Sequence, residues 1–167
     1  MNGRQIPENA EEALAMCILV VDDAEDGKDI FTAVLAKGGY NEVVALDSAA
    51  TAFSFLGLET SRDTTMPPVK LELLDVVMPE VTGMQACARI RSDPRYANLP
   101  IVLTTALDDV ESMENAFKSG ATDYLTKPLK VVDLLACLHS NYKLSIELDR
   151  RNGLERELIQ HAPFHFD

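Results

Sequence analysis

Basic residues are scarce in this chain. Fifteen Lys and Arg stand against twenty-seven Asp and Glu in 167 residues, a formal net charge of -12, and such a surface repels phosphate backbones and anionic lipid at long range. No direct nucleic-acid binding and no membrane binding are expected of this segment. Cysteine is sparse too: Cys17, Cys87 and Cys137 lie far apart with no CxxC pair. An odd, scattered set argues against a disulfide framework and fits a reduced, cytoplasmic setting. Long apolar runs are missing. The longest near the start, "LAMCILVV" at 14–21, follows Glu11-Glu12 and ends in two aspartates, so it lacks the basic flank of a signal peptide. It is also far too short to span a bilayer. No internal repeat or low-complexity tract is present.

What is there suffices for one core. With 47% hydrophobic and 25% charged residues, a chain of this length buries one core of ordinary size and carries a short appendage. The first residues, "MNGRQIPENAEE", are polar and aperiodic, and residues 1–15 read as a leader. Residues 16–142 read as the folded domain and 143–167 as a helical extension or linker. Within the domain, short apolar runs, "CILVV", "EVVAL", "LELL", "PIVLTT" and "DYLT", alternate with helix-period segments. That alternation predicts an α/β fold with a parallel sheet covered on both faces, five strands and five helices.

The helices carry their own punctuation. Ile30, Phe31, Val34 and Leu35 repeat at helical spacing before Gly38-Gly39, a glycine stop. Ser48 is the expected cap of "AATAFSFL", Gly83 opens "MQACARIR", and Asp108 or Asp109 caps "VESMENAFKSG". The stretch "ETSRDTTMPP", 59–68, reads as a long polar loop. Helix-forming sequence then runs from Val131 to roughly Gln160, with Asn141, Arg151 and Gly153 interrupting a leucine pattern that would otherwise suit coiled-coil pairing.

The functional reading comes from strand ends. In a parallel α/β sheet, residues just past the strands gather along one edge. Asp22-Asp23 end the first run, Asp75 the third, Thr105 the fourth, and Lys127 follows the fifth before Pro128. Taken singly, each has a bland explanation as a cap or turn residue. Together, four of five strands deliver a polar or charged group to one crevice. Three carboxylates a few ångströms apart demand a counterion, and an all-oxygen set without His or Cys suits Mg²⁺. In such a site Asp75 would attack phosphorus, with Lys127 and the Thr105 hydroxyl taking the transferred oxygens.

The pieces "ILVVDD", "LLDVVMPEVTG", "RSDPRYANLPIVLTTA" and "GATDYLTKPL", in this order, closely resemble the receiver domain of two-component response regulators, from about Cys17 to Tyr142. The resemblance implies a flavodoxin-like, doubly wound sheet of order 2-1-3-4-5. It implies that Asp75 accepts a phosphoryl group from a histidine kinase or phosphotransfer protein. Asp23 would ligate Mg²⁺ directly, Asp22 mainly through water, and the Val77 carbonyl would complete the protein ligands. Thr105 and Tyr124 would form the switch, and its surface would meet an effector domain or protein, or a second copy of the chain. The domain would be no turnover enzyme, promoting only its own phosphorylation and dephosphorylation.

Two departures from the family pattern stand out. Glu72 occupies an ordinarily apolar strand position, and alternation places Lys70 on its face, so an ion pair between them is expected. Val77 and Leu107 put apolar groups beside the phosphoacceptor, which predicts slow hydrolysis. Of two rival readings, an aspartate-nucleophile phosphohydrolase of the haloacid dehalogenase type would want a second aspartate where Val77 stands. A docking module that has lost phosphorylation would usually lack an acid, the Thr or the Lys, and none is missing. His161 and His165 read as tail residues; Cys87 and Cys137 read as packing.

Overall fold

The computed structural model of the chain describes residues 17–40, 42–59 and 68–160, with side chains at 146, 149 and 153–160 also left aside. The leader, most of the 59–68 loop and both tail histidines lie outside the described residues. Five strands, β1 (Cys17–Val21), β2 (Val43–Leu46), β3 (Val69–Asp75), β4 (Ile101–Thr105) and β5 (Asp123–Thr126), form one parallel sheet in the order β2-β1-β3-β4-β5. Five helices alternate with them: α1 (Glu25–Lys37), α2 (Ala49–Leu56), α3 (Gly83–Arg91), α4 (Val110–Lys118) and α5 (Val131–Gln160). This is the flavodoxin-like arrangement, and its helices cover both sheet faces as parallel strands require.

Alternation along the strands builds two cores. Leu19, Val21, Leu74, Ile101 and Leu103 face a cluster that includes Phe53 and Leu56 of α2, Cys87 and Ile90 of α3 and Ala116 of α4. Ile18, Val20, Leu71, Leu73 and Val102 meet Phe31 and Leu35 of α1 and Leu134 and Leu138 of α5 on the other side. Burying a side chain of this size contributes roughly 1.5–3 kcal/mol.

Local chemistry fixes where the helices begin. Ser48 and Thr51 form a reciprocal capping box on α2, and Thr82 and Gln85 form another on α3. Asp109, rather than Asp108, caps α4 by accepting from the Ser112 N–H at 2.8 Å. Each such cap is worth about 1 kcal/mol. The backbone of α5 stays helical through Asn141, Arg151 and Gly153. No helix among the described residues is long and apolar enough to cross a membrane.

One expectation fails. Glu72 is completely buried and neither of its carboxyl oxygens has a hydrogen-bond partner among the described residues, so the ion pair with Lys70 does not form. The reason lies in β3 itself. Its register against β1 slips between Cys17 and Ile18, which pair with Val69 and Leu71 and leave Lys70 as the extra residue. Strict alternation therefore does not carry from Lys70 to Glu72. Val69 accordingly packs on the face of Leu74 rather than opposite it.

Candidate functional site

Sheet register assembles the site. Val21 pairs with Leu74, so the residues that follow, Asp22 and Asp75, leave adjacent strands side by side; Asp75 in turn pairs with Thr104. Asp22, Asp23 and Asp75 can each place a carboxylate oxygen within 4.8 Å of the others. Asp22 and Asp75 are buried, while Asp23 is exposed. Lys127 Nζ stands 3.4 Å from Asp22 Oδ2 and 3.4 Å from Asp75 Oδ2, bridging the two buried acids.

Backbone groups hold the carboxylates in place. The Ala24 N–H donates to Asp22 Oδ1 at 2.9 Å, and the Val77 N–H lies 3.4 Å from Asp75 Oδ1. Burial pushes the Asp75 carboxyl above the usual carboxylate range; Lys127 opposes that shift and the Asp22 charge adds to it. Such a cluster attracts a cation. Its hard, all-oxygen donor set fits Mg²⁺, which is commonly held by one or two carboxylates together with phosphate oxygens.

Two glycines let the site close up. A Cβ on Gly83 would lie 2.2 Å from the Asp75 carbonyl oxygen, and one on Gly27 would lie 2.4 Å from Asp22 Oδ2. Real Cβ atoms do not tolerate such distances, so α3 can start against the end of β3, and α1 can pass over Asp22, only where no side chain intervenes. The Gly83 N–H donates to the Val76 carbonyl at 2.9 Å, fixing that approach. Sequence reasoning placed Gly83 only as the opening of a helix and missed Gly27. A glycine inside the first helix, where it costs about 1 kcal/mol relative to Ala, was the available signal.

Thr105 and Tyr124 meet at one residue. The Leu107 N–H donates to Thr105 Oγ1 at 3.2 Å, and the Tyr124 hydroxyl donates to the Leu107 carbonyl. Thr105 is buried and the Lys127 N–H donates to its carbonyl at 2.7 Å, so the ends of β4 and β5 are joined at the lip of the crevice. The Lys127–Pro128 peptide is cis. The side chains of Val77, whose N–H contacts Asp75, and of Leu107, which contacts Thr105 and Tyr124, stand exposed. Cys137, read as packing, does pack against the core around Ile18, Leu134 and Leu138, and it also donates its thiol to Asp123 Oδ2 at 3.2 Å.

Residues 18–139 match the response regulator receiver domain, and the chain belongs to that family. Among similar proteins, it is 34% identical over 119 residues to the DNA-binding dual master transcriptional regulator RpaA of Synechocystis, covering 71% of this chain and 46% of that one. It is 37% identical over 144 residues to the response regulator PleD of Caulobacter vibrioides, covering 84% of this chain and 30% of that one. The chain thus spans less than half the length of these relatives. A response regulator receiver protein from Pseudomonas putida has the same fold, with TM-score 0.62 and 27% identity over 74% of this chain and 95% of that one. The family is a signalling domain of two-component systems and not a conventional enzyme. Its members interact with histidine kinases or phosphotransfer proteins and bind Mg²⁺ at an acidic pocket.

Proposed function

We propose that this domain is a phosphorylation-controlled switch whose phosphoacceptor is Asp75. The observation that carries the reading is the Lys127 ammonium shared between Asp22 and Asp75 beside exposed Asp23. One carboxylate is thereby offered to a donor while its neighbours supply the charge that holds a cation. Asp75 Oδ would attack the phosphorus of a phosphohistidine, forming an O–P bond as the P–N bond breaks and the imidazole leaves. Asp22, Asp23, Asp75 and the Val77 carbonyl would hold Mg²⁺, which supplies charge neutralisation of the phosphoryl oxygens. Lys127 would exchange its contact with Asp75 for a phosphoryl oxygen.

Thr105 would be drawn toward the new phosphoryl group and release the Leu107 N–H. Because Tyr124 holds the other end of the same peptide residue, its ring would lose its tether and rearrange. The surface that changes comprises α4, β5 and the start of α5, where Val110, Phe117 and Val132 are exposed. An effector domain or protein, or a second copy of the chain, would read that surface. The domain limits at residues 16 and 142, the extension that follows and the cytoplasmic setting are parts of the same proposal.

Incubation with acetyl phosphate and Mg²⁺, followed by intact mass, tests the reading. One phosphoryl adduct is expected in the wild type, and none in Asp75→Asn or after chelation of the metal. Unmodified masses in every sample would favour the docking module instead.

A further inference from the structure

Glu72 is a buried acidic group on a strand whose neighbours Leu19, Leu74, Ile101 and Leu103 pack into the core under α2, α3 and α4. This carboxyl lies in the middle of β3, wholly buried, with no hydrogen-bond partner among the described residues for either oxygen. Its register neighbours are Leu19 on β1 and Ile101 on β4, which offer no charge. Helix α3 carries the titratable groups coupled to it: the Arg91 guanidinium, whose charge acts on Glu72, and the Cys87 thiol, on which Glu72 acts in turn.

Arg91 is engaged elsewhere. Its Nε donates to the Gly120 carbonyl at 2.7 Å, Nη1 to the Tyr96 carbonyl at 2.8 Å and Nη2 to Thr122 Oγ1 at 3.0 Å. Thr122 Oγ1 also accepts from the Ile101 N–H at 3.1 Å, and the Thr122 N–H donates to the Ile101 carbonyl at 2.8 Å. One guanidinium therefore ties the last turn of α3 to the segment entering β5, the strand that carries Tyr124.

Burial raises the Glu72 carboxyl to about 8, with the Arg91 charge opposing the shift. Burial also raises the Cys87 thiol, with its contact to Ser119 and the Arg91 charge pulling back and Glu72 adding to the rise, so the thiol does not ionise ahead of its ordinary range. Glu72 is thus neutral near pH 7 and ionises as the pH climbs through 8. A buried carboxylate without a partner is strongly unfavourable, and the neighbouring guanidinium is its available remedy.

We propose that Glu72 and Arg91 form a proton-controlled latch: neutral Glu72 leaves Arg91 on Gly120 and Thr122, and ionised Glu72 draws Arg91 away and loosens the entry to β5. The domain would then carry a second input to the Tyr124 face, independent of the phosphoryl group.

The test is an NMR titration of the full chain from neutral to mildly alkaline pH, following the Glu72 carboxyl carbon, the Arg91 Nε–H and the amides of Gly120 and Thr122. All are expected to move with one midpoint near 8. Above it, exchange of the Arg91 Nε–H, corrected for its intrinsic pH dependence, is expected to rise about tenfold or more as the latch opens. Glu72→Gln and Glu72→Met should each abolish the response, and Cys87→Ala should retain it. Asp75→Asn should titrate like the wild type, which separates this latch from the phosphoacceptor reading. A Glu72 carboxyl that titrates in the ordinary acid range, or Gly120 and Thr122 shifts that persist in both Glu72 variants, would overturn the proposal. So would loss of the response in Cys87→Ala.

Discussion

Gly83 abuts Asp75 so closely that a Cβ on the glycine would stand 2.2 Å from the aspartate's carbonyl oxygen and 2.8 Å from its carbonyl carbon. The obstructing atoms are backbone and cannot swing aside. Gly83→Ala must therefore move the start of α3 or the end of β3, at a cost of about 1–3 kcal/mol, the usual range for overpacking. Chemical denaturation should show a lowered midpoint. Phosphorylation should also fall, because the displaced element carries the acceptor.

Asp23 is the exposed member of the acidic cluster, so its charge can be removed without opening the core. Mg²⁺ at about a hundred times its dissociation constant should stabilise the folded domain by about 2.7 kcal/mol. Asp23→Asn should lose most of that gain while keeping its metal-free stability within about 0.5 kcal/mol. Thermal unfolding with added Mg²⁺ or chelator measures both.

Glu72 should be a liability to stability. Its folded value of about 8 lies above the ordinary 4.5, so the folded state holds a proton that the unfolded state has released. Stability should be greatest below the ordinary value and fall as pH rises toward 8, by about 1.4 kcal/mol per pH unit. Glu72→Met, of similar volume, should flatten this slope and stabilise the domain at pH 7 by a few kcal/mol, on the order of the linkage penalty. Urea unfolding at a series of pH values decides the matter; parallel slopes in the two proteins would contradict it.

Val77, next to Asp75, and Leu107, next to Thr105, expose apolar side chains. They should impede the water that removes the phosphoryl group, since excluding water suppresses hydrolysis. Val77→Asn is expected to shorten the lifetime of the phosphorylated state by about threefold to tenfold, within the ordinary contribution of one positioned polar group. Decay of the phosphoryl adduct after removal of the donor is the measurement.

The fold and the acidic crevice were legible in the sequence because parallel strands impose direction. Once "ILVVDD" and "LLDVV" were read as strands, Asp22 and Asp75 had to emerge at the same edge. The register slip at Lys70 was not legible. It is a three-dimensional adjustment between β1 and β3 that leaves no mark in a short apolar run, and it removed the partner expected for Glu72. Nor could spacing show that Thr105 and Tyr124 hold the N–H and the carbonyl of the same residue, Leu107. That contact depends on how a loop folds back over two strand ends.

Chemical mapping of the phosphoryl group tests the central claim most directly. Borohydride reduces an aspartyl phosphate to homoserine, so peptide mass analysis of the domain treated with acetyl phosphate, Mg²⁺ and then borohydride reveals the acceptor. The account predicts homoserine at position 75 and at no other aspartate. Homoserine at another position, or a phosphoryl adduct that survives in Asp75→Asn, would contradict it.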